Sequence, residues 1–156
     1  MLYLSLFLIS AASLVYEILL MRLFAIINWS QFSYFCISLA LFGFALSGVL
    51  IGIFRQPLLA RFKLFYSINL WLFGVTSLFC FVVSQHVFFN PLQIFWSLTP
   101  WWYLIAIFVL LTIPFFCVAN CICLAFAREK ARVHLIYAAD LLGAGIGAIA
   151  IVGLLY

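Results

Sequence analysis

Five long apolar stretches, separated by short polar breaks, make up most of the chain. They cover residues 3–27, 32–54, 64–84, 102–126 and 135–155. A helix needs about 20 apolar residues to cross the roughly 30 Å hydrocarbon core of a bilayer, and each stretch is that long. The stretches lack the alternating pattern of barrel strands, so helices are the structure that satisfies their backbone in lipid. The pattern predicts an all-α fold, a polytopic bundle of five transmembrane helices that forms one domain over residues 1–156.

The composition excludes a soluble globular domain. Hydrophobic residues make up 71% of the chain and charged residues only 6%, with seven Lys and Arg against three Asp and Glu. A soluble domain of this length needs a far more charged surface. We therefore expect the lipid bilayer to be the main partner.

Most of the basic residues cluster in two short breaks, after the second and the fourth stretch. Basic loops of this kind remain in the cytoplasm, which places the N-terminus inside and the first and third loops outside. The formal charge of +4 therefore reflects topology, and we expect no nucleic-acid binding. The aromatic segment 85–101 is predicted to lie along the outer membrane surface. The clustered basic residues are Arg55, Arg61, Lys63, Arg128, Lys130 and Arg132.

Two of the three acidic residues, Glu17 and Asp140, lie inside predicted spans. A carboxylate in hydrocarbon costs several kcal/mol unless it is paired, protonated or hydrated, so such residues often mark a functional site. Glu17 shares a helix face with Ser10 and Ser13 and lies roughly 20 Å along the first span. It needs a hydroxyl partner, a proton or a water pocket.

Arg22 follows Glu17 by five residues, a rotation of about 140° that makes an intrahelical pair unfavourable. Arg22 can instead extend towards the outer surface or pair with a group on another helix.

Asp140 lies about 8 Å above the inner boundary of the fifth span, on one face with Tyr137 and Gly143. Two interpretations carry equal weight. Asp140 reaches down to Arg132 or His134, or it forms a polar site between the first and fifth spans with Tyr16 and Tyr137 as hydrogen-bond partners. In the second case the site can bind a ligand or relay protons.

Small residues recur in the second span, where Gly48 and Gly52 form a GxxxG pair after Gly43 and Ser47, and in the fifth span, where Ala139, Gly143 and Gly147 lie four residues apart. Glycine lets helix backbones approach closely in lipid, so these residues predict packing faces and place both spans at the bundle centre or against a partner. The residues concerned are Gly43, Gly48, Gly52, Gly143 and Gly147.

The sequence shows no nucleophile-and-base arrangement, so we assign no catalytic residue. The two histidines, His86 and His134, are predicted on opposite membrane sides, and the five cysteines lie in apolar segments. Cysteine there is usually a small buried hydrophobe. We therefore predict no metal site and no cofactor.

Three separated motifs resemble the membrane region of spermidine-synthase-like proteins. They are Ser13-Leu14-Val15-Tyr16-Glu17 followed by Arg22, the run from Ser33-Tyr34 through Leu39-Ala40-Leu41-Phe42-Gly43 to Gly48, and Tyr137-x-x-Asp140-x-x-Gly143 with Gly147. The resemblance covers about residues 10–52 and 137–150.

Fused members of that family carry a soluble, Rossmann-like domain resembling aminopropyltransferases after the membrane region. The resemblance therefore implies a fragment of a longer protein, or a subunit completed by another chain. It assigns no aminopropyl transfer to these 156 residues, from which alone we expect no enzymatic activity. We expect the protein in a bacterial inner membrane.

Three functional hypotheses follow. The leading one is a membrane anchor that binds a small cationic or amphipathic ligand through Glu17 and Asp140, positioned by Arg22, Tyr16 and Tyr137. The second is a non-catalytic subunit of a larger membrane complex that docks through its glycine faces. The third is part of a transporter or proton path in which Glu17 titrates.

Overall fold

The computed structural model describes residues 2–27, 33–86 and 99–155. Within these residues the chain is an all-α helix bundle with five helices long and apolar enough to cross a membrane, which confirms the predicted fold class. The predicted turn at 28–31 and most of the aromatic segment 85–101 lie outside the described residues. The helices are α1 Leu2–Ile27, α2 Ser33–Ile53, α3 Arg55–Ala60, α4 Phe62–His86, α5 Thr99–Arg128 and α6 Val133–Leu155.

The first basic break differs from the expectation of a plain polar loop. It contains the short helix α3, whose Leu58 is buried against the bundle. The second break holds a single 3₁₀ turn, Lys130–Arg132. Both connections are therefore compact, which brings their basic residues close to the helix ends.

The helix directions agree with five successive membrane crossings. Gly143 of α6 meets Phe7 of α1, and Gly147 meets Ala11, so α1 and α6 run in the same direction. The Cys80 thiol of α4 donates to the Leu110 carbonyl of α5. Further along, the Cys121 thiol of α5 donates to a carbonyl near the start of α4, so α4 and α5 are antiparallel.

Helix α5 forms the centre of the bundle, with α2 and α4 packed on it, and it is the most buried of the spans. Helix α6 instead packs mainly on α1 and exposes most of its remaining surface. Of the two positions predicted for the fifth span, the bundle centre is therefore not the one found within the described residues, and a position against a partner stays a prediction. The apolar exposed surface of α6 suits lipid, since hydrophobicity does not drive helices together within a bilayer.

The core has two layers, one towards each end of the bundle. The layer near the basic connections includes Leu6, Tyr66, Val118 and Ile136. The layer near the other end includes Leu20, Leu39, Leu111 and Phe115.

Candidate functional site

Asp140 lies at the contact between α6 and α1. The Ser10 hydroxyl donates a hydrogen bond to Asp140 Oδ1 over 2.5 Å. The two helices approach closely because the positions facing α1 are glycines: a Cβ at Gly147 would lie 2.6 Å from the Ala11 carbonyl oxygen. No ion pair joins Asp140 to Arg132 or His134 within the described residues. The structure thus places this carboxyl group between the first and fifth spans.

The two tyrosines expected beside Asp140 lie elsewhere. Tyr16 lies in the core layer at the end away from the basic connections. Its ring packs there against Phe73 and Phe115, with ring centroids 6.3 Å and 5.6 Å away. Its hydroxyl is buried and has no hydrogen-bond partner among the described residues. Tyr137 is largely exposed on α6. Neither tyrosine therefore positions Asp140.

Glu17 is half-buried on α1 and is not brought together with Arg22, which is exposed. Among the described residues, no hydrogen bond or ion pair reaches the Glu17 carboxyl group. The Ser13 hydroxyl on the same face donates to the Ser10 carbonyl, 2.9 Å away, and so does not serve as its partner. The Cys36 thiol of α2 is within electrostatic range of Glu17.

A second set of buried polar side chains connects α2, α5 and α4. The Ser47 hydroxyl donates to Asn120 Oδ1 over 2.8 Å, and Asn120 Nδ2 donates to Asn69 Oδ1 over 3.2 Å. Asn69 Nδ2 in turn donates to the Phe65 carbonyl over 2.8 Å. Neither asparagine is among the residues predicted from the sequence, although an amide in the middle of an apolar helix is itself a signal, because it needs a hydrogen-bond partner there.

These polar groups lie at a common depth. Each is six to eight residues from the end of its helix that lies on the side of the basic connections, which is about 9–12 Å at 1.5 Å per residue. We call the group the polar belt; its members are Ser10, Ser47, Asn69, Asn120 and Asp140.

A cavity of about 240 Å³ lies beside the polar belt, bounded by α2, α3, α4 and α5. Asn69 and Asn120 provide its polar wall, and aliphatic and aromatic side chains such as Leu58 and Phe65 provide the rest. A mostly apolar cavity with a few polar groups on one side is typical of sites for amphipathic small molecules.

The predicted packing glycines fall into two groups. Gly43 lies against α5, where an added Cβ would be 2.9 Å from the Phe115 Cβ, and Gly143 and Gly147 lie against α1. Gly48 and Gly52 have no atom within 4 Å of an added Cβ. The space that the GxxxG pair of α2 faces is therefore not occupied by the described part of the chain.

Comparison of the chain with protein-family models, curated proteins and solved structures finds no match. The function is therefore inferred from the geometry of the intramembrane polar groups.

Proposed function

We propose that this multi-pass membrane domain binds a small cationic ligand through Asp140 and Glu17. The supporting observation is that neither carboxyl group has a cationic partner among the described residues. Asp140 has one neutral partner, Ser10, and Glu17 has none. An ionised carboxylate within hydrocarbon needs a counter-charge or ordered polar partners. An organic ammonium group supplies both charge and N–H donors.

The spacing of the two carboxyl groups restricts the ligand. Glu17 follows Ser10 by seven residues, which places it on the same face of α1 and about 10 Å further along the helix. Because Ser10 holds Asp140, a linear ligand with two ammonium groups about that far apart matches both carboxylates. The apolar linker of a diamine or polyamine suits the surrounding side chains.

This proposal agrees with the resemblance to the membrane region of spermidine-synthase-like proteins. In that setting the bundle anchors a soluble catalytic domain at a bacterial inner membrane and offers a polyamine site beside it. The resemblance and this setting are part of the proposal.

Binding to purified protein in lipid nanodiscs tests the site. We expect saturable binding of spermidine, and affinity should rise along a series of linear diamines until the nitrogen spacing reaches about 10 Å, the Ser10-to-Glu17 rise. Asp140→Asn and Glu17→Gln should each weaken binding at least tenfold. The matched control is Glu129→Gln, which removes the acidic residue outside the spans and should leave binding unchanged.

Equal affinity of both intramembrane variants and the wild type would refute the site. The thermal stability of each variant is measured in parallel. If it equals that of the wild type, a loss of binding is due to the lost ligand contact and not to unfolding. A loss that is equal in all three variants would indicate general charge attraction instead.

A second candidate function, a non-catalytic subunit of a membrane complex, is favoured by the open face at Gly48 and Gly52. Small residues without a facing neighbour allow close approach by a helix of another chain. Gly48→Leu should then abolish co-purification of partner chains, while Gly74→Leu, at an equally open glycine of α4, should not. Identical partner recovery from both variants would contradict this role.

A further inference from the structure

Three basic side chains from two separate connections converge at one end of the bundle, the end predicted to be cytoplasmic. Arg61 lies between α3 and α4, Lys63 lies in the first turn of α4, and Arg128 is the last residue of α5. They line a cleft of about 690 Å³ whose wall also contains the first turn of α4, Phe62 to Leu64. The free backbone N–H groups of a helix N-terminus favour anions, so charge and backbone act in the same direction.

The Arg128 guanidinium is held in place by an aromatic ring. Its carbon lies 4.2 Å from the centroid of the Phe62 ring, a cation–π contact. Stacking uses the face of the guanidinium and leaves the N–H groups at its edge, where they suit a phosphate oxygen. Glu129 approaches Arg128 only to 4.0 Å and is partly exposed, so it neutralises the cleft weakly.

An apolar groove of about 580 Å³ adjoins this cleft, and the two share Phe62, Lys63 and Arg128. The groove follows α1, where Leu4 and Leu8 are exposed on one helix face. Ser5 and Tyr66 also line the groove, and their hydroxyl oxygens, Ser5 Oγ and Tyr66 Oη, lie 3.0 Å apart. Because α1 starts at this end of the bundle, Leu4 lies at about the depth of Ser5 and Leu8 lies about 4.5 Å deeper, so the groove continues into the membrane along an aliphatic surface.

We propose that the cleft and groove together bind one anionic phospholipid. The phosphate group lies among Arg61, Lys63 and Arg128, the glycerol ester region lies at the Ser5 and Tyr66 hydroxyl groups, and an acyl chain lies along Leu4 and Leu8. A cationic cleft that adjoins an apolar groove matches the charged headgroup and the acyl chain of such a lipid, and the cleft lies at the end of the bundle that the basic residues predict to be cytoplasmic. The proposal is independent of the polyamine site, whose residues lie deeper in the bundle.

Lipid retention in nanodiscs of phosphatidylcholine with a minority of phosphatidylglycerol tests the charge requirement. Native mass spectrometry should find one phosphatidylglycerol molecule retained preferentially by the wild type. Each basic side chain at an anionic surface contributes about fivefold in affinity, so Arg61→Gln/Lys63→Gln/Arg128→Gln should weaken retention about 100-fold. Lys63→Glu alone, at an exposed side chain, should weaken it at least tenfold.

The matched control is Arg55→Gln/Lys130→Gln/Arg132→Gln. It removes the same charge from the same membrane side, and none of its residues lines the cleft or the groove. Its retention should stay within about fivefold of the wild type, the contribution of one basic side chain. An equal loss in the two triple variants would show non-specific attraction and overturn the proposal.

A groove-filling variant separates a lipid from a free phosphate. Leu8→Trp should lower phosphatidylglycerol retention, whereas Leu78→Trp, at an exposed α4 position away from the groove, should not. Millimolar inorganic phosphate should fail to displace the lipid from the wild type. Displacement by inorganic phosphate, together with normal lipid retention by Leu8→Trp, would assign the cleft to a soluble anion and refute the lipid site.

Discussion

Replacing Gly143 with alanine tests the contact that brings Asp140 to α1. A Cβ at this position would meet the Phe7 carbonyl oxygen and lie 3.0 Å from both the Phe7 Cα and its carbonyl carbon. Ordinary van der Waals contact for such a Cβ begins at 3.4 Å. Because the opposing atoms belong to helix backbone, they cannot rotate away as a flexible side chain would. The two helices must therefore separate.

The magnitude follows from two opposing terms. Overpacking a close contact costs about 1–3 kcal/mol, and here the cost falls on a whole helix pair. Alanine in place of a helical glycine recovers about 0.5–1 kcal/mol of conformational free energy. We therefore expect Gly143→Ala to lower the free energy of unfolding by about 1–2 kcal/mol.

Gly48→Ala is the matched control, since an added methyl group there meets no atom within 4 Å. Only the helix-propensity term remains, so its free energy of unfolding should be unchanged or up to about 1 kcal/mol higher. The two substitutions are chemically identical and should differ in sign.

Unfolding by sodium dodecyl sulfate in mixed micelles, followed by circular dichroism, measures these differences. The ratio of detergents is varied, and the wild type and both variants are compared under the same conditions. Equal effects of the two substitutions, or a Gly143→Ala variant more stable than the wild type, would refute the close α1–α6 contact.

Three further predictions use the same unfolding assay. Phe115→Ala should lower the free energy of unfolding by about 3–5 kcal/mol because Phe115 is buried at the bundle centre, whereas Phe79→Ala, at an exposed position, should change it by less than about 0.5 kcal/mol. Tyr16→Phe should raise it by up to about 1 kcal/mol, because the hydroxyl is buried without a described partner. Asn120→Ala should lower it by about 1–2 kcal/mol, since the Ser47 hydroxyl loses its acceptor.

Each of these predictions has a clear contrary result. Similar losses at Phe115 and Phe79 would contradict the central position of α5. A destabilised Tyr16→Phe variant would show that the hydroxyl has a partner. A neutral Asn120→Ala variant would show that the polar belt adds no stability to the bundle.

Sequence reasoning locates the five spans to within three residues at each end. This works because the cost of placing a helix in lipid is a sum over some 20 residues, so single positions matter little. The short helix α3 is missed, since six residues give too weak a periodic signal and its burial depends on Leu58 meeting the rest of the bundle.

Packing partners are less accessible from the sequence. The motif at Gly48 and Gly52 fits the spacing of a packing face, yet its space is open, while Gly43, outside that pair, lies tightly against α5. A small residue permits the close approach of another helix, but it does not determine which helix packs there.

Within the site, the sequence identifies the two carboxyl groups, because a carboxylate within hydrocarbon is energetically unfavourable, but it does not identify the side chains around them. Of the two alternatives for Asp140, the structure has the one between the first and fifth spans, with Ser10 rather than a tyrosine as its partner. From the sequence, Asn69 and Asn120 are recognisable only as polar residues in the middle of apolar spans. The hydrogen bond between them joins residues that are 51 positions apart in the chain, which the sequence does not reveal.

Protection of Asp140 from a hydrophobic carbodiimide tests the central claim most directly. Such reagents modify carboxyl groups inside membranes, and peptide mass spectrometry reports the modified fraction at each acidic residue. If a polyamine occupies the site, saturating spermidine should suppress modification of Asp140 and Glu17, and a monoamine at the same concentration should protect less. Modification of both residues that is unchanged by spermidine would contradict the proposed ligand site.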